Sequence, residues 1–261
     1  MTQQPPRLWR APAKINLTLH VLGRDAEGWH ELDSIVAFAG CCDWLGFEPG
    51  PKLSLKIEGP TARSSGPLQD NLVLRAAGAL AERVPRLRLG RFALHKALPV
   101  AAGIGGGSSD AAAALRALAH ENGLAPDDAR LYQAAAAIGA DVPVCVAPRA
   151  RLMAGRGERL GPELGLAPLF AVLANPGAAV STAAVFAALG LAPGASTGAT
   201  PSPKLAPLSA ATPAIAALKG GRNDLQGAAT RLAPVIGETL DALARAPGVS
   251  FARMSGSGAT C

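Results

Sequence analysis

The sequence predicts an α+β fold in which strands precede helices and pair as hairpins. Three observations point there. Residues Ala13 to Val21 alternate, with Ala13, Ile15, Leu17, Leu19 and Val21 on one side and Lys14, Asn16, Thr18 and His20 on the other, the period of a half-buried strand. Residues 70–84, "DNLVLRAAGALAERV", have helical spacing behind Asp70 or Asn71 as N-cap and ahead of Pro85. A glycine-rich stretch at 98–118, "LPVAAGIGGGSSDAAAALRAL", then runs directly into an alanine-rich helix. Composition agrees. The chain is 49% hydrophobic but only 4% aromatic, so its core is built from Ala, Leu and Val, which suits helices laid on a sheet.

The elements follow in order. After the strand at 13–21, the turn "GRDAEG" leads to "WHELDSIVAF", a second strand that makes a hairpin with the first. "KLSLKIEG" alternates again and gives a third strand, the helix at 70–84 follows, and "RLGRFALHKALP" supplies a strand that ends at the glycine loop. Two helices come next, Ser109 to Glu121 and Pro126 to Ile138, closed by Asn122-Gly123 and Gly139. "ADVPVCVAP" reads as a short strand, and "RLMAGRGERL" carries the boundary between a first domain, 1–154, and a second, 155–261. The second domain opens with "PLFAVLA" as a buried strand, Asn175-Pro176-Gly177 as a turn and "STAAVFAALG" as a helix. "APGASTGATPSPKLAPLSAATP", at 192–213, is a linker by its Pro, Ala, Ser and Thr content, and helices return in "RNDLQGAATRLAPVIGETLDALAR".

Composition also excludes classes. Lys and Arg exceed Asp and Glu by 25 − 19 = +6, but the arginines are scattered and aromatics are few, so nucleic-acid binding lacks its stacking platforms. A mild positive field favours anionic ligands. Cys41, Cys42, Cys145 and Cys261 show no CxxC and no spacing for a tetrahedral metal site, which suits reduced thiols in a cytoplasmic protein. The N-terminal "MTQQPPRLWRAPAK" has no apolar signal-peptide core. The uncharged run 168–192 is long enough to span a bilayer, but the turn at 175–177 divides it, so no membrane segment is expected.

The glycine loop is the candidate functional feature. Gly103, Gly105, Gly106 and Gly107 allow positive φ and close approach of a ligand to the backbone. The helix opened by Ser108, Ser109 and Asp110 presents unpaired amides and a positive dipole end, which suits phosphate. A tight strand-to-helix turn with a good N-cap explains the same letters. Familiar nucleotide loops fail on spacing: no lysine lies between Lys96 and the end of the next helix, Ser108 occupies the third glycine of a GxGxxG counted from Gly103, and there is no GxSxG.

"LPVAAGIGGGSSDAAAAL" resembles the second signature of the GHMP small-molecule kinases. "APAKINLTLHVLGRDAEGWHEL" resembles their N-terminal signature and "ARMSGSGATC" their C-terminal glycine loop, while "GADVPV" and "GRGE" point to the branch acting on cytidyl-linked methylerythritol. The resemblance implies a ribosomal-S5-domain-2-like N-terminal domain, a ferredoxin-like C-terminal domain and an active site in the cleft between them. It implies transfer of the γ-phosphoryl group of ATP, with Mg2+, to the 2-hydroxyl of 4-diphosphocytidyl-2-C-methylerythritol in non-mevalonate isoprenoid synthesis. The alternatives are a mevalonate-type or homoserine-type kinase of the same family, or a non-catalytic nucleotide-binding relative. Asp141 matches the family's base and Lys14 the lysine beside it. Lys96, Pro99, Gly103, Gly105, Gly106, Gly107, Ser108 and Ser109 match the ATP site. Asn16, Trp29, His30, Thr182 and Phe186 match the substrate site, Trp29 standing where tyrosine is commoner. No carboxylate stands out as a magnesium ligand, and Asn223-Asp224 reads as structural, with Gln226 where an acidic residue is expected. The family continues past "SGSGATC" into a helix and strand, whereas this chain stops at Cys261. The expected partners are ATP and a small cytidine diphosphate, with no nucleic acid and no membrane.

Overall fold

The structure is a computed structural model and describes residues 7–202 and 210–261, so part of the expected linker, residues 203–209, lies outside the described residues. Cα packing groups the chain into two units: Met1–Lys14, Ala39–Val100 and Gly105–Pro148 form one, and Ile15–Phe38, Ala101–Ile104 and Arg149–Cys261 the other. The chain crosses between the units several times, the last time at 148/149. The earlier crossings leave no mark in composition.

In the first unit, β1 (Leu8–Asn16) contributes residues up to Lys14, and the long β3 (His30–Pro49) contributes its second half. Then follow β4 (Ser54–Glu58), α1 (Leu72–Ala81), β5 (Gly90–His95), α2 (Gly106–Glu121), α3 (Ala129–Ile138) and α4 (Val142–Val146). β5 pairs antiparallel with β3, from Trp44↔His95 to Pro49↔Gly90. It pairs parallel with β4, from Ser54↔Arg91 to Glu58↔His95. The expected hairpin pairing fails at β4 and β5 because α1 intervenes, and a crossover helix returns the chain in the same direction. α1 begins where expected: Asn71 is its N-cap, accepting the Val73 N–H at 2.9 Å. Alternate residues of β5, Phe92 and Leu94, are buried with Leu45, Leu55, Leu80, Leu115 and Leu118.

"ADVPVCVAP" is helical, not a strand. Pro143 stands in the first turn of α4, where its missing N–H costs no hydrogen bond, and all five residues of the helix are buried. A short, fully apolar run has no period with which to tell the two apart. α2 also starts three residues before the expected Ser109, with Gly105 as N-cap.

In the second unit, β2 (His20–Arg24) pairs antiparallel with the first half of β3, from His20↔Asp33 to Arg24↔His30. β6 (Arg151–Gly155) pairs with β3 from Leu32↔Gly155 to Val36↔Arg151, and β7 (Arg159–Glu163) pairs with β6. α5 (Thr182–Ala187), α6 (Ala211–Lys219), α7 (Gln226–Leu232) and α8 (Val235–Arg245) complete it. Leu19, Val21, Leu32, Val185, Leu225, Ile236 and Met254 share one buried cluster.

Four expectations fail here. The single strand 13–21 is divided between β1 and β2, because the Thr18 and Ser34 side chains replace ladder bonds: Ile35 N–H donates to Thr18 Oγ1 at 2.9 Å, and Ser34 Oγ donates to Thr18 O at 2.5 Å. Its polar face is not solvated either, since Lys14, Asn16, Thr18 and His20 are all buried. "PLFAVLA" is neither buried nor a strand: Phe170 and Val172 are exposed, and the segment's regular pairing is one reciprocal pair of bonds between Ala174 and Cys261, 2.9 Å each. β-propensity needs a neighbouring strand to become structure. α6 begins at Ala211, within the last three residues of the expected linker, and runs on beyond it, which the linker's composition does not signal. No described helix is long and apolar enough to cross a membrane.

Candidate active site

β1 delivers Lys14 into the interior of the first unit, with its side chain 4% exposed and Nζ 3.0 Å from Asp141 Oδ2. Asp141 is the residue before α4, and its side chain is 41% exposed. One partner of the pair is thus fixed by packing while the other keeps an open side. Cys145, one turn along α4, donates from Sγ to Asp141 O at 3.2 Å, and burial pushes its thiol up to about 12, so it remains protonated. It is a packing residue.

The glycine loop meets this pair at the start of α2. Gly105 has φ +61°, and a Cβ there would lie 3.2 Å from both Cβ and Cε of Lys14. Only glycine both takes that backbone and leaves the lysine its place. Ser109 Oγ donates to Pro12 O at 2.6 Å and ties the helix to β1. The first intrahelical bond is Ser109 N–H to Gly105 O at 2.9 Å, so the amides of Gly106, Gly107 and Ser108 precede it and point out of the helix end. An ammonium, a carboxylate and an anion-favouring helix terminus are therefore brought together in one unit.

Lys96, expected to touch nucleotide, is instead buried, with Nζ 2.5 Å from Asp43 Oδ2 and 2.6 Å from Asp110 Oδ2. Pro99 is half-buried just before the loop. Asp43 went unread in the sequence, and Asp110 was read only as part of the helix start.

Gly103 belongs to the second unit and not with Gly105–Gly107. Its φ is +74°, and a Cβ would lie 2.5 Å from Ser255 O and 2.7 Å from Gly258 O. The C-terminal glycine loop is stacked directly on it, with Ser255 Oγ donating to Gly103 O at 3.0 Å. Asn223 fixes that loop from below, giving Nδ2 hydrogens to Met254 O at 2.7 Å and Gly256 O at 2.9 Å. Asp224 accepts from Val21 N–H and Arg222 Nε.

The expected substrate residues also lie in the second unit. His30 and Phe186 stack with ring centroids 4.7 Å apart. His30 Nε2 is buried without a hydrogen-bond partner, and burial together with the Arg24 charge lowers the imidazole pKa. A neutral imidazole with an unanswered nitrogen is a built request for a polar ligand atom. Trp29 is exposed, with its backbone N–H donating to Asp25 Oδ1 at 2.7 Å and the Arg156 guanidinium 5.0 Å from its ring. Thr182 Oγ1 lies 2.8 Å from Ser257 Oγ on the C-terminal glycine loop. Asn16 is buried, donating from Nδ2 to Ser34 Oγ at 2.8 Å and from its backbone to Ser255 Oγ at 3.1 Å. No three His, Cys, Asp or Glu among the described residues are grouped to hold a metal.

A glycine-capped helix start beside a Lys-Asp pair, with a second glycine loop at the end of the sequence, is the equipment of a small-molecule phosphotransferase. Residues 71–148 match the GHMP kinases N terminal domain and residues 208–261 the GHMP kinases C terminal domain. The chain belongs to the GHMP kinase family. It is similar to 4-diphosphocytidyl-2-C-methyl-D-erythritol kinases from Methylorubrum extorquens, at 60% identity over 96% of this chain and 87% of that one, and from Xanthobacter autotrophicus, at 58% over 96% and 87%. A crystal structure of 4-(cytidine 5'-diphospho)-2C-methyl-D-erythritol kinase matches with a TM-score of 0.74 and 35% identity, covering 97% of this chain and 88% of that one. Homoserine kinase from Cytophaga hutchinsonii shares the fold alone, at 15% identity and a TM-score of 0.59 over 100% and 85% of the two chains.

Proposed function

We propose that this protein is an ATP-dependent kinase that phosphorylates the 2-hydroxyl of 4-diphosphocytidyl-2-C-methyl-D-erythritol, a step of the non-mevalonate isoprenoid route. The observation that carries the reading is the Lys14–Asp141 pair at 3.0 Å beside the glycine-capped start of α2, in a chain 60% identical to kinases of that name. Phosphoryl transfer asks mainly for positioning and charge stabilisation. The first-turn amides of α2, at Gly106, Gly107 and Ser108, hold phosphate oxygens, with Gly105 and Ser109 fixing the turn. Asp141 accepts the proton of the attacking hydroxyl from its open side. Lys14 orients that hydroxyl and steadies the charge that develops as its oxygen attacks phosphorus and ADP leaves.

The cytidine is assigned to His30, Trp29 and Phe186. His30 Nε2, buried and unpartnered, serves the base's polar edge, and the exposed indole of Trp29 offers the stacking face. Thr182 and Asn16 are assigned to the same substrate. Mg2+ would arrive with ATP: no three His, Cys, Asp or Glu among the described residues are grouped to hold it, so the nucleotide rather than a protein cage would carry it. When bound it offsets the charge of the phosphates.

The test is coupled ADP release with the cytidyl substrate, mevalonate and homoserine in parallel. Turnover with the first alone is expected. No turnover with it, or faster turnover with either of the others, refutes the assignment.

A further inference from the structure

Beneath the first turn of α2 lies a cluster of three charged side chains that this mechanism does not use. Asp43 Oδ1 accepts the N–H groups of Ala97 at 2.6 Å and Leu98 at 2.7 Å, the residues just before Pro99. Its Oδ2 takes Lys96 Nζ at 2.5 Å, and the same ammonium reaches Asp110 Oδ2 at 2.6 Å on α2. The strand exit before the glycine loop and the helix after it are thus tied through one nitrogen. The tie lies close to the phosphate-binding turn, since a Cβ on Gly106 would be 3.3 Å from Lys96 Nζ and 3.9 Å from Asp43 Oδ2.

We infer that Asp43, Lys96 and Asp110 are positioning residues for the nucleotide, holding the glycine loop in shape, and that Asp110 takes up a proton as nucleotide binds. The inference rests on the kinase reading above. With both carboxyls ionised the cluster carries a formal charge of −1 while all three residues are buried, directly under a turn whose ligand is a polyanion. Such an arrangement opposes its own ligand unless one carboxyl is neutral. Asp110 is the one suited to it: Oδ1 is buried with no hydrogen-bond partner, a position costly for an anion and cheaper for an acid. Burial, helped by the nearby charge of Asp43, pushes its carboxyl up to about 7 despite Lys96.

The surroundings supply no competing charge from the packed helices. The buried residues of α1 are Val73, Ala76, Ala77, Ala79 and Leu80, and those of α3 are Leu131, Ala134 and Ala135. α4 presents Val142, Pro143, Val144, Cys145 and Val146, of which only the protonated Cys145 thiol can titrate. β1 brings Lys14, which is paired with Asp141. The sign follows. An acid whose pKa is raised is neutral below that value and anionic above it. Phosphates on the turn raise it further, so binding takes up a proton and affinity falls as pH rises through about 7 and beyond.

The experiment is isothermal titration of the protein with ATP from pH 6.5 to 8.5, in buffers of different ionisation enthalpy, for the parent and Asp110→Asn. The variant keeps the shape and an acceptor for Lys96 but cannot titrate, and the titration of ATP itself is common to both proteins. Across this range the parent's Kd should rise about three- to tenfold more than the variant's, with extra proton uptake in the parent alone. The same pH profile and proton count in both would overturn the proton linkage. Lys96→Gln should weaken ATP binding about tenfold at every pH by loosening the tie; unaltered affinity would overturn the positioning role, and should that variant not fold, Asp43→Asn carries the same test. A parent that binds no ATP at any pH sinks the kinase reading instead.

Discussion

Replacing Gly105 with alanine tests how the loop and the Lys-Asp pair are joined. The native backbone sits at φ +61°, where an L residue costs about 1–2 kcal/mol. The new methyl would also stand 3.2 Å from both Cβ and Cε of Lys14, so the lysine stem must give by a few tenths of an ångström. That displacement passes to Nζ, which is 3.0 Å from Asp141. A reacting geometry misplaced by about 1 Å loses about a hundredfold in rate, so a smaller shift predicts about a tenfold fall in kcat. The backbone strain predicts a Tm lower by about 2–8 °C for a chain of this size. Gly107→Ala is the control, for its Cβ would meet only Leu72 Cδ1 at 3.4 Å, an ordinary contact, and its φ is not in the left-handed region. Coupled ADP release and thermal melting on the two variants suffice. If Gly105→Ala turns over and melts like the parent, or if Gly107→Ala is damaged equally, the account of the loop is wrong.

Asp141→Asn keeps size and shape and removes the proton acceptor. kcat should fall about 10²–10⁴-fold with the Kd for ATP within a few-fold of the parent, and a normal kcat would remove Asp141 from the chemistry. His30→Ala should raise KM for the cytidyl substrate at least about tenfold while KM for ATP holds, because its buried Nε2 is the atom without a partner; a rise in both constants would place the damage in folding. Asn223→Ala strands the carbonyls of Met254 and Gly256 and the N–H of Leu225. It should cost about 2–4 kcal/mol, read as a lower denaturation midpoint with the slope unchanged.

Where a local rule decided the outcome, the sequence was legible. Asn71 capping α1 and the hairpin of β2 with β3 follow from neighbours a few residues apart. The glycine loop was read from its own residues and Lys14 and Asp141 from the resemblance, and the structure brings Lys14, Asp141 and Gly105–Ser109 into one unit. Legibility ended where the deciding partner was distant. "PLFAVLA" had every residue a strand wants, but pairing is supplied from outside the segment. "VPVCV", the five residues after Asp141, is apolar on all sides, so burial left no period to read. Asp43 did leave a signal: it falls in phase with buried Leu45 on an apolar strand. A carboxylate on the inward phase of a strand requires a buried counter-charge. Lys96, also on a buried position beyond β5, was the available answer, and reading the two together would have moved Lys96 from ligand contact to scaffold.

The same reasoning separates glycines that look alike in "GIGGG". Gly103 is small because the backbone of the C-terminal glycine loop lies against it, with Ser255 O only 2.5 Å from where a Cβ would be. A larger residue there has nowhere to push, since the obstacle is main chain. Gly105 is small for Lys14, a side chain that can yield, so substitution there trades stability against rate. Gly106 has Lys96 Nζ 3.3 Å from its absent Cβ, and a methyl would press on a cluster whose charge is already finely balanced. One short motif thus answers to a packing constraint, a catalytic neighbour and a buried ionic tie. Substitutions along it should therefore fail in different ways: Gly103→Ala in folding, Gly105→Ala chiefly in kcat, and Gly106→Ala in nucleotide affinity. A uniform loss of all three properties at every position would mean that the loop acts as a single rigid turn.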